Sequence, residues 1–144
     1  MPTNQKARAK RGGANKGRGW EKEATAILAS MGCQVVPHAV PRGESGRFDR
    51  GAAPPDASLF LGEYGAVVDF KEVHGDTFTI AGVRESQRKW FDKVHNSAVV
   101  VRFVMEAGTY RCFIPWTDLK TLKSVPFADA SPLNFSELLE WMRR

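Results

Sequence analysis

Residues Pro54 to Val73, PPDASLFLGEYGAVVDFKEV, hold two apolar runs of strand length on either side of a turn bounded by glycines. The runs ASLFL (Ala57 to Leu61) and AVVDFKEV (Ala66 to Val73) predict an antiparallel pair across GEYG, Gly62 to Gly65. That pair also carries carboxylates at Asp56 and Asp69 and an amine at Lys71. Charges on an apolar strand cost free energy unless they are paired or bind a metal. Residues two apart on a strand share a face, so Asp69 and Lys71 point one way and Phe70 points the other, into the core. Pairing across the turn then brings Asp56 beside Asp69.

Two carboxylates this close raise each other's pKa unless a cation intervenes. Mg²⁺ suits such a site, because it takes oxygen ligands, keeps several waters and needs few carboxylates. Bound there, it would activate water for attack on a phosphodiester, and Lys71 would orient that water or stabilise charge on the phosphate. A plainer reading stays open at this point. Asp56 after Pro-Pro fits an ordinary turn, and Asp69 with Lys71 fits an exposed same-face ion pair worth under about 1 kcal/mol.

Around this hairpin the pattern alternates between helix and strand. WEKEATAILASM places Trp20, Ala24, Ile27, Leu28 and Met31 on one side of a helix, and Gly32 follows as a left-handed terminus. Cys33 to Pro37 predicts a strand. His38 to Pro55, rich in Gly, Pro and charge, predicts a mobile loop. TFTI predicts a short strand, and a helix runs from Arg84 to about His95 with Val83, Gln87, Trp90, Phe91 and Val94 at helical spacing. The strands SAVVVRFVM and TYRCFIPW flank the turn Glu106 to Gly108. A short helix is expected from Thr117 as its N-cap, and Asn134 with Glu137 has capping-box spacing before FSELLEWMRR. The order predicts an α/β fold, a central mixed sheet flanked by helices.

Of the 21 Lys and Arg residues, Lys6, Arg8, Lys10, Arg11, Lys16 and Arg18 precede residue 20, where there is no acid. The rest of the chain nearly balances its 16 acids. A basic flexible arm over 1–19, followed by one domain over 20–144, is therefore expected, with the arm contacting phosphates. The two cysteines, Cys33 and Cys112, suit neither a disulfide framework nor a zinc knuckle and fit reduced thiols in an intracellular protein. No secretory signal or membrane span is visible, so a cytoplasmic, nucleoid-associated location is expected, or the host cytoplasm if the source is a phage. His38, His74 and His95 are scattered and read as surface or turn residues. Trp116, Phe135 and Trp141 read as packing, and Trp90 and Phe91 as core or dimer contacts.

The pattern PD…DxK resembles the PD-(D/E)xK nuclease superfamily, and within it the chain resembles the archaeal-type Holliday junction resolvases, the Hjc family, over roughly residues 16–120. Lys16, Gly17 and Glu21 match the family's basic entry into helix one. Gly32 and Val35-Val36 match the helix end and first strand, Pro55, Asp56, Leu59 and Phe60 the PD strand, and Asp69 with Lys71 the E-x-K strand. Val83, Arg84 and Gln87 match the next helix start, and Phe113, Ile114 and Pro115 a later hairpin.

The resemblance implies a restriction-endonuclease-like core. It implies a site in which Glu21 joins Asp56 and Asp69 around Mg²⁺ (Mn²⁺ substituting), with the Phe70 carbonyl as a further ligand. Lys71 becomes the catalytic lysine and Gln87 a helper. Glu21 alone would read as a helix N-terminal acid, and Glu23 as a surface residue. The family often has Arg after V-V; Pro37-His38 stands here, so the phosphate contact is expected to pass to Arg42, Arg47 or Arg50. Arg84 joins the expected DNA-contacting set, and Ser45, in the loop with Arg42, Arg47 and Arg50, is a weaker catalytic candidate. The implied function is a homodimeric junction-resolving endonuclease acting on branched DNA. Its rivals are a restriction- or repair-type nuclease of the same superfamily, a non-catalytic DNA-binding module, and an RNA-binding protein that works through its arm.

Overall fold

A computed structural model describes residues 19–39 and 53–144. Helix α1 occupies residues 19–30, so Gly19 is already helical. Trp20, Ala24 and Leu28, four apart, are fully buried, and the Trp20 indole N–H donates to the Val100 carbonyl at 3.1 Å. The helix ends in a Schellman motif: Gly32 N–H donates to Ala29 O and Cys33 N–H to Leu28 O, both at 3.0 Å. Gly32, at φ 92°, takes the left-handed conformation that the motif requires.

Strand β1 (Gln34–Pro37) pairs antiparallel with β2 (Ala57–Leu61), which turns back into β3 (Tyr64–His74). The turn is tighter than expected. The pairing extends to Leu61 opposite Tyr64, leaving a two-residue loop whose Gly62 sits at φ 62°. From β3 the chain passes through β4 (Thr77–Thr79) and α2 (Glu85–Lys93) to β5 (Ser97–Met105), which lies parallel to β3. Strand β6 (Gly108–Pro115) returns antiparallel to β5. Helix α3 (Trp116–Leu122), β7 (Ser124–Pro126), β8 (Ser131–Pro132) and α4 (Phe135–Met142) complete the fold.

The mixed sheet runs β1-β2-β3-β5-β6-β8, and β4 pairs with β7 in a separate two-stranded sheet. Two cores cover its faces. One packs Trp20, Leu28, Val68, Phe70, Val100, Phe113 and Leu138; the other packs Phe91, Val99, Val101, Ile114, Trp116 and Leu119. Strand β5 reads as a continuous apolar run because both of its faces are buried, as a central parallel strand requires.

Three expectations are corrected. Helix α3 begins at Trp116, with Pro115 rather than Thr117 at its N-cap, because Trp116 is drawn into the second core against Phe91 at 5.4 Å. Phe135 is exposed at 48% rather than packed within this chain, and Trp90, exposed at 47%, is not a core residue, which leaves the expectation of a dimer contact for it. Asn134 does cap α4, its side chain accepting from Glu137 N–H at 2.9 Å. Cys33 and Cys112 are free and buried.

Candidate active site

The register of the β2–β3 hairpin places Ala57 opposite Val68, so Asp56 and Asp69 face each other one step further on. Each carboxylate takes a backbone N–H from the other's neighbourhood. Asp56 N–H donates to Asp69 Oδ1 at 3.1 Å, and Phe70 N–H donates to Asp56 Oδ2 at 2.8 Å. Proline at 55 has no N–H to offer the Phe70 carbonyl, which points to the same strand edge as the Phe70 N–H and so towards Asp56.

Asp69 is fully buried. Gln87, on the first turn of α2 and itself buried, donates through Nε2 to Asp69 Oδ1 at 3.0 Å. Its Oε1 accepts from Arg84 N–H at 3.1 Å and from Lys71 Nζ at 3.4 Å. Gln87 thereby caps its own helix while fixing both the acid and the amine of β3. Lys71 Nζ stands 2.8 Å from Asp69 Oδ2 as an ion pair. Lys71 is thus the charge partner of this buried oxygen.

Burial, then the charge of Asp69 and the hydrogen bond with it, push the Asp56 pKa up to about 8; the Phe70 N–H opposes this and the charge of Glu21 adds to it. Burial and then the charge of Asp69 raise that of Glu21. The two aspartates are thus in contact, and Glu21 on α1 lies within their electrostatic range. Among the described residues no group of three or more His, Cys, Asp and Glu side chains is gathered closely enough to hold an ion as a set. The donors that are present still suit a divalent cation. Two carboxylates lie side by side in a buried site, and burial with the charge of Asp69 raises the pKa of Asp56, which a bound cation would oppose.

Glu23 is not a free surface acid. It accepts from Arg102 Nη1 at 3.0 Å and Arg111 Nη2 at 2.8 Å, while Arg102 also grips Glu72 through Nε at 2.7 Å and through Nη2. The guanidinium lies 5.3 Å from the centre of the Trp20 ring. This clamp joins α1 to β3, β5 and β6 and holds the helix that carries Glu21. Sequence reasoning missed it, because Arg102 sits in a run that reads only as core.

Lys6, Arg8, Lys10, Arg11, Lys16, Arg18, Arg42, Arg47, Arg50 and Ser45 lie outside the described residues. Arg84 is exposed at the start of α2. His38 is no isolated surface residue. Its ring bonds to Pro55 O and Ser58 Oγ. The one signal in the sequence was its position directly after Val-Val-Pro, where the resembled family often carries Arg.

No protein-family model matches the chain, and no curated protein sequence matches it. Among solved structures, the chain is similar to Archaeoglobus fulgidus Hjc, a Holliday junction resolvase from an archaeal hyperthermophile. The TM-score is 0.56 at 12% identity, covering 81% of this chain and 96% of that one. The likeness shows the fold: a mixed central sheet flanked by helices, restriction-endonuclease-like. Among the described residues no helix is long and apolar enough to cross a membrane.

Proposed function

We propose that this chain is a Mg²⁺-dependent endodeoxyribonuclease that acts on four-way DNA junctions as a homodimer, nicking two strands in a paired manner. The observation that carries the reading is the Asp56–Asp69–Lys71–Gln87 constellation, in which two carboxylates, an amine and an amide converge within 3.4 Å contacts on the chain's own hairpin. A same-face ion pair on an exposed strand would leave Asp69 in water, and Asp69 is buried.

Asp56 and Asp69 would hold the cation, with the Phe70 carbonyl and Glu21 as further oxygen donors. Once bound, the ion supplies a polarised phosphoryl oxygen and a more acidic water. Lys71 presents its ammonium where negative charge develops on the phosphate. Gln87 keeps Asp69 and Lys71 in register with each other. A twofold dimer offers two such sites to a pseudo-symmetric junction. The likeness in fold to a Holliday junction resolvase supports this substrate over linear duplex.

The test is incubation of a synthetic four-way junction and a linear duplex of equal concentration, with and without Mg²⁺. Junction-selective, Mg²⁺-dependent nicking is expected, and Asp56→Asn is expected to abolish cleavage while DNA binding persists. Equal cutting of the duplex would favour a restriction- or repair-type enzyme. Binding without cutting would favour a non-catalytic module.

A further inference from the structure

The histidine after the first strand is bound to the segment that presents Asp56. His38 N–H donates to the Asp56 carbonyl at 2.8 Å. Its Nδ1 lies 2.7 Å from the Pro55 carbonyl and its Nε2 lies 2.6 Å from Ser58 Oγ. A carbonyl only accepts, so Nδ1 carries the proton. In the neutral ring Nε2 then accepts, and Ser58 donates its hydroxyl hydrogen to it. One residue thus holds the chain just before Asp56, at Asp56 and two residues beyond it. Ala57 between them is buried in the core.

Such a clamp has a physical task. Asp56 lies against Asp69 in a buried site, and its carboxylate must stay aligned on the Phe70 N–H to meet a cation there. The Phe70 N–H is the bond that draws the Asp56 carboxylate inward. The bond from the His38 N–H to the Asp56 carbonyl continues the β1–β2 ladder past Pro37 and Ala57, so what the ring adds is the pair of contacts at Pro55 and Ser58.

We infer that His38 is a positioning residue for Asp56, holding its carboxylate against Asp69 so that the pair is preformed for a divalent cation. The inference rests on the nuclease reading above for its purpose, and on the two ring contacts for its substance. Ser58 fixes the far side of the ring and so belongs to the same device.

The experiment titrates Mn²⁺ into the full-length chain by calorimetry, comparing wild type with His38→Ala and His38→Asn. Loss of a group that orients a ligand costs roughly 10- to 100-fold in metal affinity, and that loss is expected for His38→Ala. His38→Asn keeps a donor near the Nδ1 position and is expected to recover most of it. Unchanged Mn²⁺ affinity in His38→Ala overturns the inference and leaves the nuclease reading standing. Absence of Mn²⁺ binding in wild type removes the nuclease reading instead. The clamp is then judged without metal by hydrogen exchange at the Phe70 N–H, which donates to Asp56 and should exchange faster in His38→Ala than in wild type. Unchanged exchange there overturns the inference.

Discussion

At the scale of single residues, Asp56 holds the site's stored instability. Its pKa is raised from 3.8 to about 8 in the fold, chiefly by burial and then by Asp69. An acid whose folded pKa is raised stabilises fully below its unfolded value and loses that contribution as pH climbs through the folded value. The native protein is therefore penalised progressively between pH 3.8 and about 8. At about 1.4 kcal/mol per pH unit the penalty is of order a few kcal/mol above that window. Asp56→Asn should raise the metal-free Tm at pH 8.5 to 9, and the gain should vanish near pH 4; thermal melts across that range check it. A gain independent of pH would contradict the burial and repulsion that the structure shows. In the proposed nuclease, Lys71 and Gln87 divide the remaining chemistry. Lys71→Ala should cut turnover by roughly 10²- to 10³-fold, as loss of a charge-stabilising group does. Gln87→Ala should cost about 10- to 100-fold, through a misaligned Asp69 rather than weaker DNA binding. Single-turnover cleavage alongside a binding assay separates the two. The acids and the amine were legible in the sequence because i, i+2 alternation and a short hairpin fix their relation. His38 was not, because its partners are two backbone carbonyl groups and a serine twenty residues away, and no side-chain pattern reports such bonds.

At the scale of elements, the hairpin and α1 bring the site together, and Arg102 holds them. Burial alone would raise the pKa of Glu72, but its hydrogen bonds from Arg102 and then His74 hold it below the usual range. Hydrogen bonds from Arg111 and Arg102 likewise lower that of Glu23 against its slight burial. Acids with lowered folded pKa stabilise above their unfolded value, 4.5, and lose that contribution as pH falls through the lowered one. Arg102→Met should therefore melt below wild type at neutral pH, by about 1–3 kcal/mol for a part-buried charge network, and approach it in acid. Melting curves at neutral and acidic pH check this. Cleavage should also fall, because α1 carries Glu21. Long periodic elements such as α1, β3 and β5 were legible from spacing. Strands β7 (SVP) and β8 (SP) were not, since each is two or three residues long and ends in a proline, without the β-branched and aromatic run that marked TFTI. The start of α3 was missed for a different reason: Trp116 has a place in the core that outweighs the preference of Thr117 for a cap.

At the scale of the whole molecule, charge and chemistry occupy separate parts of the chain. Six of the 21 basic side chains precede residue 20, whereas the constellation at Asp56, Asp69 and Lys71 lies in a domain of nearly balanced charge. Affinity for DNA should then depend on the arm, and cleavage on the hairpin. Each phosphate neutralised on duplex DNA contributes about −0.9 to the slope of log K against log salt. Removing residues 1–18 should make that slope shallower by up to about 5 per protomer, if all six side chains engage phosphates. Affinity at low salt should fall steeply, while turnover at saturating junction stays within a few-fold of the intact chain. Fluorescence anisotropy across a salt series, paired with single-turnover cleavage, measures both. A truncated chain with an unchanged slope would place the phosphate contacts elsewhere, with Arg84 on α2 the exposed alternative in the described domain. A truncated chain that binds but no longer cuts would show that the arm also orders the site, through α1, which follows it directly in the chain.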